Sequence, residues 1–238
     1  MKIELVEKKK ETKDVTSFIF ESRVPIKWTA GQFLFYTFPH PNPDERGITR
    51  YFTISAVPFE KHIMLTTRFA GNKSSSFKQK LFSAPIGTEF EVTDPDGDFI
   101  VDLPRDKAGD PGKKFIFISG GIGITPYRSI LLDLDHRNLP INVTLLYANH
   151  NNDFLFKDEL EKLAAKHPTF KIKYFVSPKH IEKEDIQKAI EEMGDEPVVY
   201  FSGPEPMTEA FEKLLKEEMG LPEERVKLDF FPGYDPIR

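Results

Sequence analysis

Cysteine is absent from the 238 residues of this sequence. Its absence excludes disulfides, thiolate-held zinc and cysteine-ligated iron–sulfur clusters. Any redox chemistry must therefore sit on an organic cofactor. The six histidines are scattered, without the HxH or HxxxH spacing typical of metal ligands, and we predict no metal site.

Long apolar runs and an excess of positive charge are also missing. No stretch approaches the ~18 apolar residues that a membrane-spanning helix needs. The opening MKIELVEKKK alternates apolar and charged residues and lacks the apolar run of a signal peptide. The net charge of −5 disfavours nucleic acid as a partner. We therefore predict a soluble, cytoplasmic protein with no membrane span and no nucleic-acid partner.

The first half of the sequence carries six short segments that alternate or run apolar, with turn residues between them. A single helical segment, Ser75–Ser83, interrupts them. This spacing predicts a closed, six-stranded antiparallel β-barrel. The predicted strands are Met1–Glu7, Val15–Glu21, Gly31–Phe38, Arg50–Ala56, His62–Phe69 and Thr88–Thr93.

After a polar linker at Leu103–Lys114, candidate strands alternate with candidate helices. This pattern predicts a doubly wound parallel α/β domain, in which ligands bind at the carboxyl ends of the strands. We place the two domains at residues 1–108 and 109–238. The predicted strands are Lys114–Ser119, Asn142–Tyr147, Lys171–Val176, Val198–Phe201 and Val226–Asp229, and the helices are Pro126–His136, Asp153–Lys166, Glu182–Met193 and Pro206–Met219.

The first strand of the second half is followed by three glycines, Gly120, Gly121 and Gly123. Glycines let the backbone approach a pyrophosphate closely, and the helix start that follows offers free N–H groups. Thr125 is predicted to cap this helix, with Pro126 at its first position. A tight turn without a ligand is the alternative, since the dinucleotide fingerprint has a third glycine that is absent here. The strand context and the cap favour phosphate binding.

Four segments, in matching order, resemble motifs of the ferredoxin–NADP reductase family, which includes the flavin and cytochrome reductases. Gly120-GIGIT-Pro126 resembles its GGxGxTP loop, and Tyr200-FSGPEP-Met207 resembles its CGPxxM segment. Arg50-YF-Thr53 resembles its RxY(S/T) flavin motif, and Gly71-NKSSS-Phe77 resembles its loop at the flavin pyrophosphate. The resemblance covers most of the chain and implies a stand-alone oxidoreductase that uses FAD and a nicotinamide nucleotide.

The resemblance also implies roles for the flavin-motif residues. Arg50 would pair with the flavin pyrophosphate, for which a guanidinium suits both charge and geometry. Phe52 stands where the family usually has the tyrosine that stacks on the isoalloxazine, and Thr53 matches the hydroxyl residue at the reactive N5 edge. In an alternating strand Arg50 and Phe52 share one face, and Tyr51 and Thr53 share the other. A half-buried strand with an exposed arginine is the alternative.

Six further residues complete the flavin candidates. Three serines open the predicted helix, where hydroxyls and free N–H groups hold a phosphate or where one serine simply caps the helix. Three residues on the preceding strand align with a segment whose backbone lines the flavin. These residues are Ser74, Ser75, Ser76, Thr66, Thr67 and Arg68.

Ser202 stands where the family commonly has a cysteine beside the nicotinamide C4. Serine keeps the size and a polar group but not the soft sulfur, so we expect hydride transfer to be slower or differently tuned. Gly203 and Pro204 would leave room for the nicotinamide. Thr53 and Ser202 are the predicted catalytic residues.

The C-terminal segment resembles an aromatic ending that covers a cofactor in several family members. Phe231 and Tyr234 are the candidates there, with a packed tail as the alternative. Tyr147-ANHNND lacks an arginine, which favours NADH, whereas Ser177 and Lys179 favour NADPH. The choice between the two nucleotides therefore stays open.

The implied chemistry is hydride transfer between NAD(P)H and FAD at the seam between the domains. The electrons then pass to an external acceptor, such as ferredoxin, flavodoxin, another redox protein or a small molecule. Two alternatives stay open: a flavin reductase that uses free flavin as a substrate, and a non-autonomous electron-transfer subunit of a larger redox complex. The sequence leaves the oligomeric state open.

Overall fold

A computed structural model describes residues 1–101, 112–194 and 196–231, and for Phe230 and Phe231 it describes the backbone only. The chain divides into two compact units. The first unit is Met1–Ile100 with Arg128–Asp133, and the second is Val101–Tyr127 with Leu134–Arg238. The predicted domain boundary between residues 108 and 109 lies outside the described residues and stays a prediction.

The first unit is built on a six-stranded antiparallel sheet, as predicted. Its strand order is β4-β3-β6-β1-β2-β5. Past the end of β4, an antiparallel bridge between Ile54 and Leu65 joins this edge to β5 and closes the barrel. The strands are β1 (Lys2–Lys10), β2 (Val15–Glu21), β3 (Phe33–Thr37), β4 (Thr49–Thr53), β5 (Ile63–Arg68) and β6 (Glu89–Val92).

Alternation of apolar and charged side chains explains these strands. In β1 the apolar Ile3 and Leu5 are buried, while Lys2 and Glu4 beside them are exposed. Aromatic rings fill the barrel interior: Phe20 packs edge-on against Phe90 with 5.2 Å between ring centroids. The alternation of apolar and charged residues therefore gives an antiparallel sheet with one buried face.

Helix α1 (Ser76–Ser83) is the α-helix that follows β5 in the first unit. Ser75 is its N-cap, since the Ser75 side chain accepts a hydrogen bond from the Lys78 N–H at 3.4 Å. Phe77 and Leu81, four residues apart, are fully buried. The helix therefore turns one apolar stripe to the core.

The second unit is a five-stranded parallel sheet in the order β11-β10-β7-β8-β9, which confirms the predicted α/β class. The strand that comes first in the chain, Phe115–Gly120, is buried throughout, as expected for a parallel strand covered by helices on both faces. The strands are β7 (Phe115–Gly120), β8 (Val143–Asn149), β9 (Phe170–Val176), β10 (Val198–Pro204) and β11 (Val226–Phe231), and the helices are α2 (Ile124–His136), α3 (Lys157–Lys166), α4 (Lys183–Met193) and α5 (Glu205–Lys213).

The start of α3 and the end of α5 differ from prediction. Helix α3 begins four residues later than the predicted Asp153, because Phe156 has a left-handed φ of 60° that cannot belong to a right-handed helix. Asn149 also holds the Asp153 carbonyl by a hydrogen bond of 3.0 Å. At the other helix, α5 ends at Lys213 and continues as a π-helical turn, Leu214–Glu218.

The described helices are short. The longest, α2, has 13 residues. Within the described ranges no helix is both long and apolar enough to cross a lipid bilayer. The same ranges contain no group of three His, Cys, Asp or Glu side chains placed to hold a metal ion.

Candidate cofactor-binding sites

Arg50 is a buried cation in β4, with 7% of its surface exposed. Its Nη1 donates to the backbone carbonyls of Arg46, Gly47 and Thr49 at 2.6, 3.0 and 2.8 Å. Its Nη2 donates to the Asp44 carboxylate at 2.6 Å, and in the described part of the chain Nε has no hydrogen-bond partner. The guanidinium is therefore fixed in place as a donor for an oxyanion.

The N-terminus of helix α1 meets the same carboxylate. The Ser76 N–H donates to Asp44 Oδ2 at 2.8 Å, and the Ser76 Oγ accepts from the Asp44 N–H at 2.9 Å. Two residues before Ser76, the Ser74 hydroxyl accepts a hydrogen bond from the Ala70 N–H at 2.8 Å. A helix start and a buried guanidinium thus converge on one oxyanion, which is the chemistry of a phosphate site.

The predicted division of faces in β4 is observed. Arg50 pairs across the ladder with Tyr36 of β3, and Phe52 pairs with Leu34. Phe52 is 7% exposed, and its ring lies 5.8 Å from each of the Tyr36 and Phe77 rings. Its predicted stacking on a flavin ring stays a prediction that requires this packing to open.

Tyr51 lies on the other face of β4 with two further aromatic rings. The Tyr51 centroid is 5.2 Å from that of Phe33 and 5.8 Å from that of Phe35. Phe35 is 37% exposed, and Thr53 on this side of the ladder is buried. The sequence analysis did not single out Phe33 and Phe35, although their i, i+2 spacing in a strand is the signal for a shared aromatic face.

The β5 candidates are engaged within the barrel. The Thr66 hydroxyl shares hydrogen bonds of 2.8 Å with the hydroxyls of Ser17 and Ser55, and all three residues are buried. Thr67 is fully buried, and Arg68 Nε lies 2.9 Å from an Asp14 carboxylate oxygen. The side chains of Thr66 and Arg68 are thus held by these polar contacts, and a flavin contact in this segment would fall to the backbone.

In the second unit, β7 ends at Gly120 and passes through a 3-10 turn, Gly121–Gly123, directly into α2. The predicted helix start is therefore wrong. Thr125 is the second residue of α2, and its hydroxyl donates to the Ile122 carbonyl at 3.1 Å instead of accepting an N–H. Pro126 is the third helical residue. The glycine turn itself, with φ of 54° at Gly121, supplies the start of the helix.

The glycine turn lies against the end of the neighbouring strand β10. A Cβ on Gly123 would collide with the Ser202 carbonyl, so glycine is required by this backbone contact. In the sheet Ser202 pairs with Ser119, which places both segments at the carboxyl edge of two adjacent strands. Met207 packs against the apolar core of this unit.

Ser202 is fully buried, and its Oγ donates to Asp229 Oδ2 at 3.3 Å. The pair follows from the sheet register, in which Ser202 lies opposite Asp229 of β11. Burial raises the pKa of the nearby Tyr127 phenol, and the charge of Asp229 raises that pKa further. Asp229 was missed in the sequence analysis, because only the order of the strands brings it beside Ser202.

Two candidates at the C-terminal end fall wholly or partly outside the description. The backbone of Phe231 ends β11 and pairs with Pro204, while its side chain lies outside the described residues. Tyr234 lies outside them altogether. Their covering role stays a prediction.

Comparisons with known proteins agree with this fold. Residues 117–213 match the family model of the oxidoreductase NAD-binding domain. The solved cytochrome b5 reductase domain of Ulva prolifera nitrate reductase superposes with a TM-score of 0.77 at 25% identity, covering 96% of each chain. The chain belongs to the ferredoxin–NADP reductase superfamily.

Two curated relatives of this superfamily member are longer proteins. A flavohemoprotein of Candida albicans is 31% identical over 249 residues, covering 95% of this chain. The reductase component DmpP of phenol 2-monooxygenase from Pseudomonas sp. is 34% identical over 155 residues, which is 61% of this chain and 38% of that protein. The chain spans little more than half the length of the flavohemoprotein, 58%.

Proposed function

We propose that the chain is an NAD(P)H-dependent flavoprotein reductase. It passes electrons between a nicotinamide nucleotide and, through FAD, a carrier protein or small acceptor. The observation that carries the proposal is that each unit has donors suited to an oxyanion: Arg50 with the Ser76 N–H in the first, and the glycine turn before α2 in the second. Two dinucleotides require two such sets of donors.

The first unit fits FAD at its pyrophosphate. The Asp44 carboxylate stands in for an oxyanion, since it accepts from both Arg50 and the Ser76 N–H. In our proposal these two groups hold the pyrophosphate, with Ser74 and Ser75 shaping the loop and the helix start. Tyr51, Phe52 and Thr53 flank the ring, and the Thr66, Thr67 and Arg68 backbone lines it.

The second unit fits a nicotinamide nucleotide. In our proposal the turn at Gly120, Gly121 and Gly123, followed by Thr125 and Pro126, offers the backbone N–H groups of a helix start to a pyrophosphate. Ser202, Gly203 and Pro204 lie at the neighbouring strand end, where we place the nicotinamide ring. Phe231 and Tyr234 remain the candidates for covering a cofactor.

When bound, the flavin and the nicotinamide supply the hydride and single-electron chemistry. In our proposal the protein positions the two cofactors and polarises the reacting groups. Thr53 presents a buried hydroxyl on its strand, and Ser202 presents one whose proton is directed at Asp229. The proposed reaction requires no proton-abstracting side chain.

The acceptor is proposed to be an external redox partner. The Pseudomonas relative is named as the reductase component of a monooxygenase, and the Ulva structure is one domain of a nitrate reductase. Both names describe a reductase part of a larger enzyme. We propose the same for this chain, with ferredoxin, flavodoxin or a related carrier as the class of partner. Its cytoplasmic location stays a prediction.

The nucleotide is proposed to be NADH or NADPH. Asn149, at the end of β8, is tied into its own loop by hydrogen bonds to Asn151 and Asp153. Lys179, after β9, lies with its Nζ 5.1 Å from the centre of the Phe175 ring, and is the cation considered for a 2′-phosphate. Steady-state rates with each nucleotide decide between them.

A ferricyanide-reduction assay on dialysed protein tests the proposed function. Activity that is retained after dialysis supports a resident flavin, and activity restored only by added FAD or FMN in proportion to its concentration supports a flavin reductase. If FAD binds but neither nucleotide drives ferricyanide reduction, the chain is a non-autonomous subunit and the proposal is wrong.

A further inference from the structure

Asp44 lies in the loop between β3 and β4. Both of its carboxylate oxygens accept hydrogen bonds from the candidate phosphate site, which consists of Arg50 and the start of α1. Oδ1 accepts from Arg50 Nη2 at 2.6 Å and from the Arg46 N–H at 3.1 Å. Oδ2 accepts from the Ser76 N–H at 2.8 Å. One side chain therefore takes a guanidinium donor and a helix N-terminal donor at the same time.

The loop holds this carboxylate in place through its own backbone. The Asp44 N–H donates to Ser76 Oγ at 2.9 Å, and the Asp44 carbonyl accepts from the Gly47 N–H at 2.8 Å. His40 Nε2 shares a further hydrogen bond of 3.0 Å with Ser76 Oγ. The contact between Asp44 and the helix start is thus supported by a network and does not depend on one flexible side chain.

The donors that Asp44 takes are the ones that an external phosphate would need. Arg50 is 7% exposed, and its Nη1 is already used by three backbone carbonyls. Nε, Nη2 and the Ser76 N–H remain, and Asp44 takes the last two of these three donors. Carboxylate and phosphate oxygens both accept hydrogen bonds from such donors. Two anions held at the same donors repel each other.

We propose that Asp44 is a built-in competitor for the pyrophosphate of FAD and lowers the affinity of the chain for its flavin. The inference rests on the proposed function, in which Arg50 and the start of α1 hold that pyrophosphate. Asp44 must leave these donors, or share them at an electrostatic cost, before FAD is held there.

The protonation state of Asp44 supports this competition. Partial burial raises the pKa of its carboxyl, but the hydrogen bonds from Ser76 and the positive charge of Arg50 outweigh that effect and hold the pKa below its usual value. At neutral pH Asp44 is therefore ionised. It remains a full competitor under the conditions in which the enzyme would work.

The test is the dissociation constant for FAD, measured by quenching of flavin fluorescence and by equilibrium dialysis. Asp44→Asn keeps the size of the side chain and removes its charge, so the dissociation constant should fall about tenfold or more. Glu45→Gln is the matched control, because Glu45 is the exposed neighbouring carboxylate in the same loop. Its replacement should leave the constant unchanged. Arg50→Gln should raise it.

A second variant, Asp44→Ser, removes the carboxylate with a smaller polar side chain and decides the question if Asp44→Asn does not fold. Unchanged or weaker FAD binding in the folded Asp44 variants, with Arg50→Gln still weakening it, overturns the inference alone. FAD binding that is insensitive to Arg50→Gln, or absent from every protein, contradicts the proposed function and the inference with it. An equal gain in Glu45→Gln would show a general charge effect and also overturn the inference.

Discussion

The Ser202 hydroxyl donates a hydrogen bond to Asp229 across two neighbouring parallel strands, with 3.3 Å between Ser202 Oγ and Asp229 Oδ2. Ser202 is fully buried. Because its proton is directed at the carboxylate, the oxygen lone pairs are left for other partners. In the proposed enzyme this fixes the orientation of the polar group that stands in the place of the family's cysteine.

The first prediction concerns this hydroxyl. Ser202→Ala should slow flavin reduction by NAD(P)H about tenfold, equivalent to about 1.4 kcal/mol in the barrier, because a pre-oriented polar group is lost. Ser202→Cys keeps the size and adds a sulfur, and should reduce flavin at least as fast as the native protein. Stopped-flow flavin absorbance measures both. Equal rates in the native and alanine proteins would show that Ser202 only packs.

The second prediction tests whether Asp229 acts through Ser202. Asp229→Asn should lower the rate of flavin reduction with little change in KM for the nucleotide. The Ser202→Ala, Asp229→Asn double variant should be no slower than Ser202→Ala alone, since residues that share one interaction are not additive. Fully additive losses in this cycle would mean that Asp229 acts by a separate route.

The third prediction concerns the close approach of the glycine turn to β10. Gly123→Ala puts a methyl group into the Ser202 carbonyl. It should cost about 1–3 kcal/mol of unfolding free energy, as overpacking does, and should weaken nucleotide binding. Urea unfolding and nucleotide titration measure the two effects.

Gly194→Ala is the control for this variant. Gly194 has a positive φ of 57°, but no described atom lies within 4 Å of the position that an alanine methyl group would take there. The variant should lose stability through backbone strain, by about 1 kcal/mol, while nucleotide binding stays native. Weakened nucleotide binding in the control to the same extent would assign both results to general destabilisation.

The fourth prediction is a pH dependence of stability. The Asp135 carboxylate accepts from Lys166 and lies 2.6 Å from His167 Nε2, and these two contacts lower its pKa. Because the folded-state pKa is below the unfolded one, the stabilisation is fully present above the unfolded pKa of about 4 and is lost as the pH falls through the folded pKa.

Asp135→Asn should therefore lower the unfolding free energy by about 1 kcal/mol at pH 7, the usual range for a partly exposed ion pair. The difference from the native protein should shrink to nothing in acid. Glu191→Gln, on the exposed side of α4, should change stability little at either pH. A constant difference for Asp135→Asn across the pH range would contradict this account.

The strands and helices were largely readable from local pattern. In β1 the alternation of Ile3 and Leu5 with charged residues fixes both the strand and its buried face. The boundaries were less readable. The start of α3 is decided by the left-handed Phe156, and the start of α2 by the 3-10 turn at Gly121–Gly123, and neither leaves a signal in the hydrophobic pattern.

The site was readable only where a motif marks it. Arg50 and the three serines stand in recognisable segments, but Asp44 reaches Ser76 across 32 residues of chain. Asp229 likewise meets Ser202 across 27 residues. Such contacts depend on which loops and strands become neighbours, and a single sequence does not encode that locally.

The measurement that tests the central claim most directly is the visible spectrum of the FAD-reconstituted protein during anaerobic titration with NADH and with NADPH. The account predicts that one of these nucleotides, at about one equivalent per flavin, bleaches the oxidised flavin band. It also predicts that Arg50→Gln loses the bound flavin that gives this signal. A native protein that binds FAD and keeps its oxidised spectrum with an excess of both nucleotides would contradict the account.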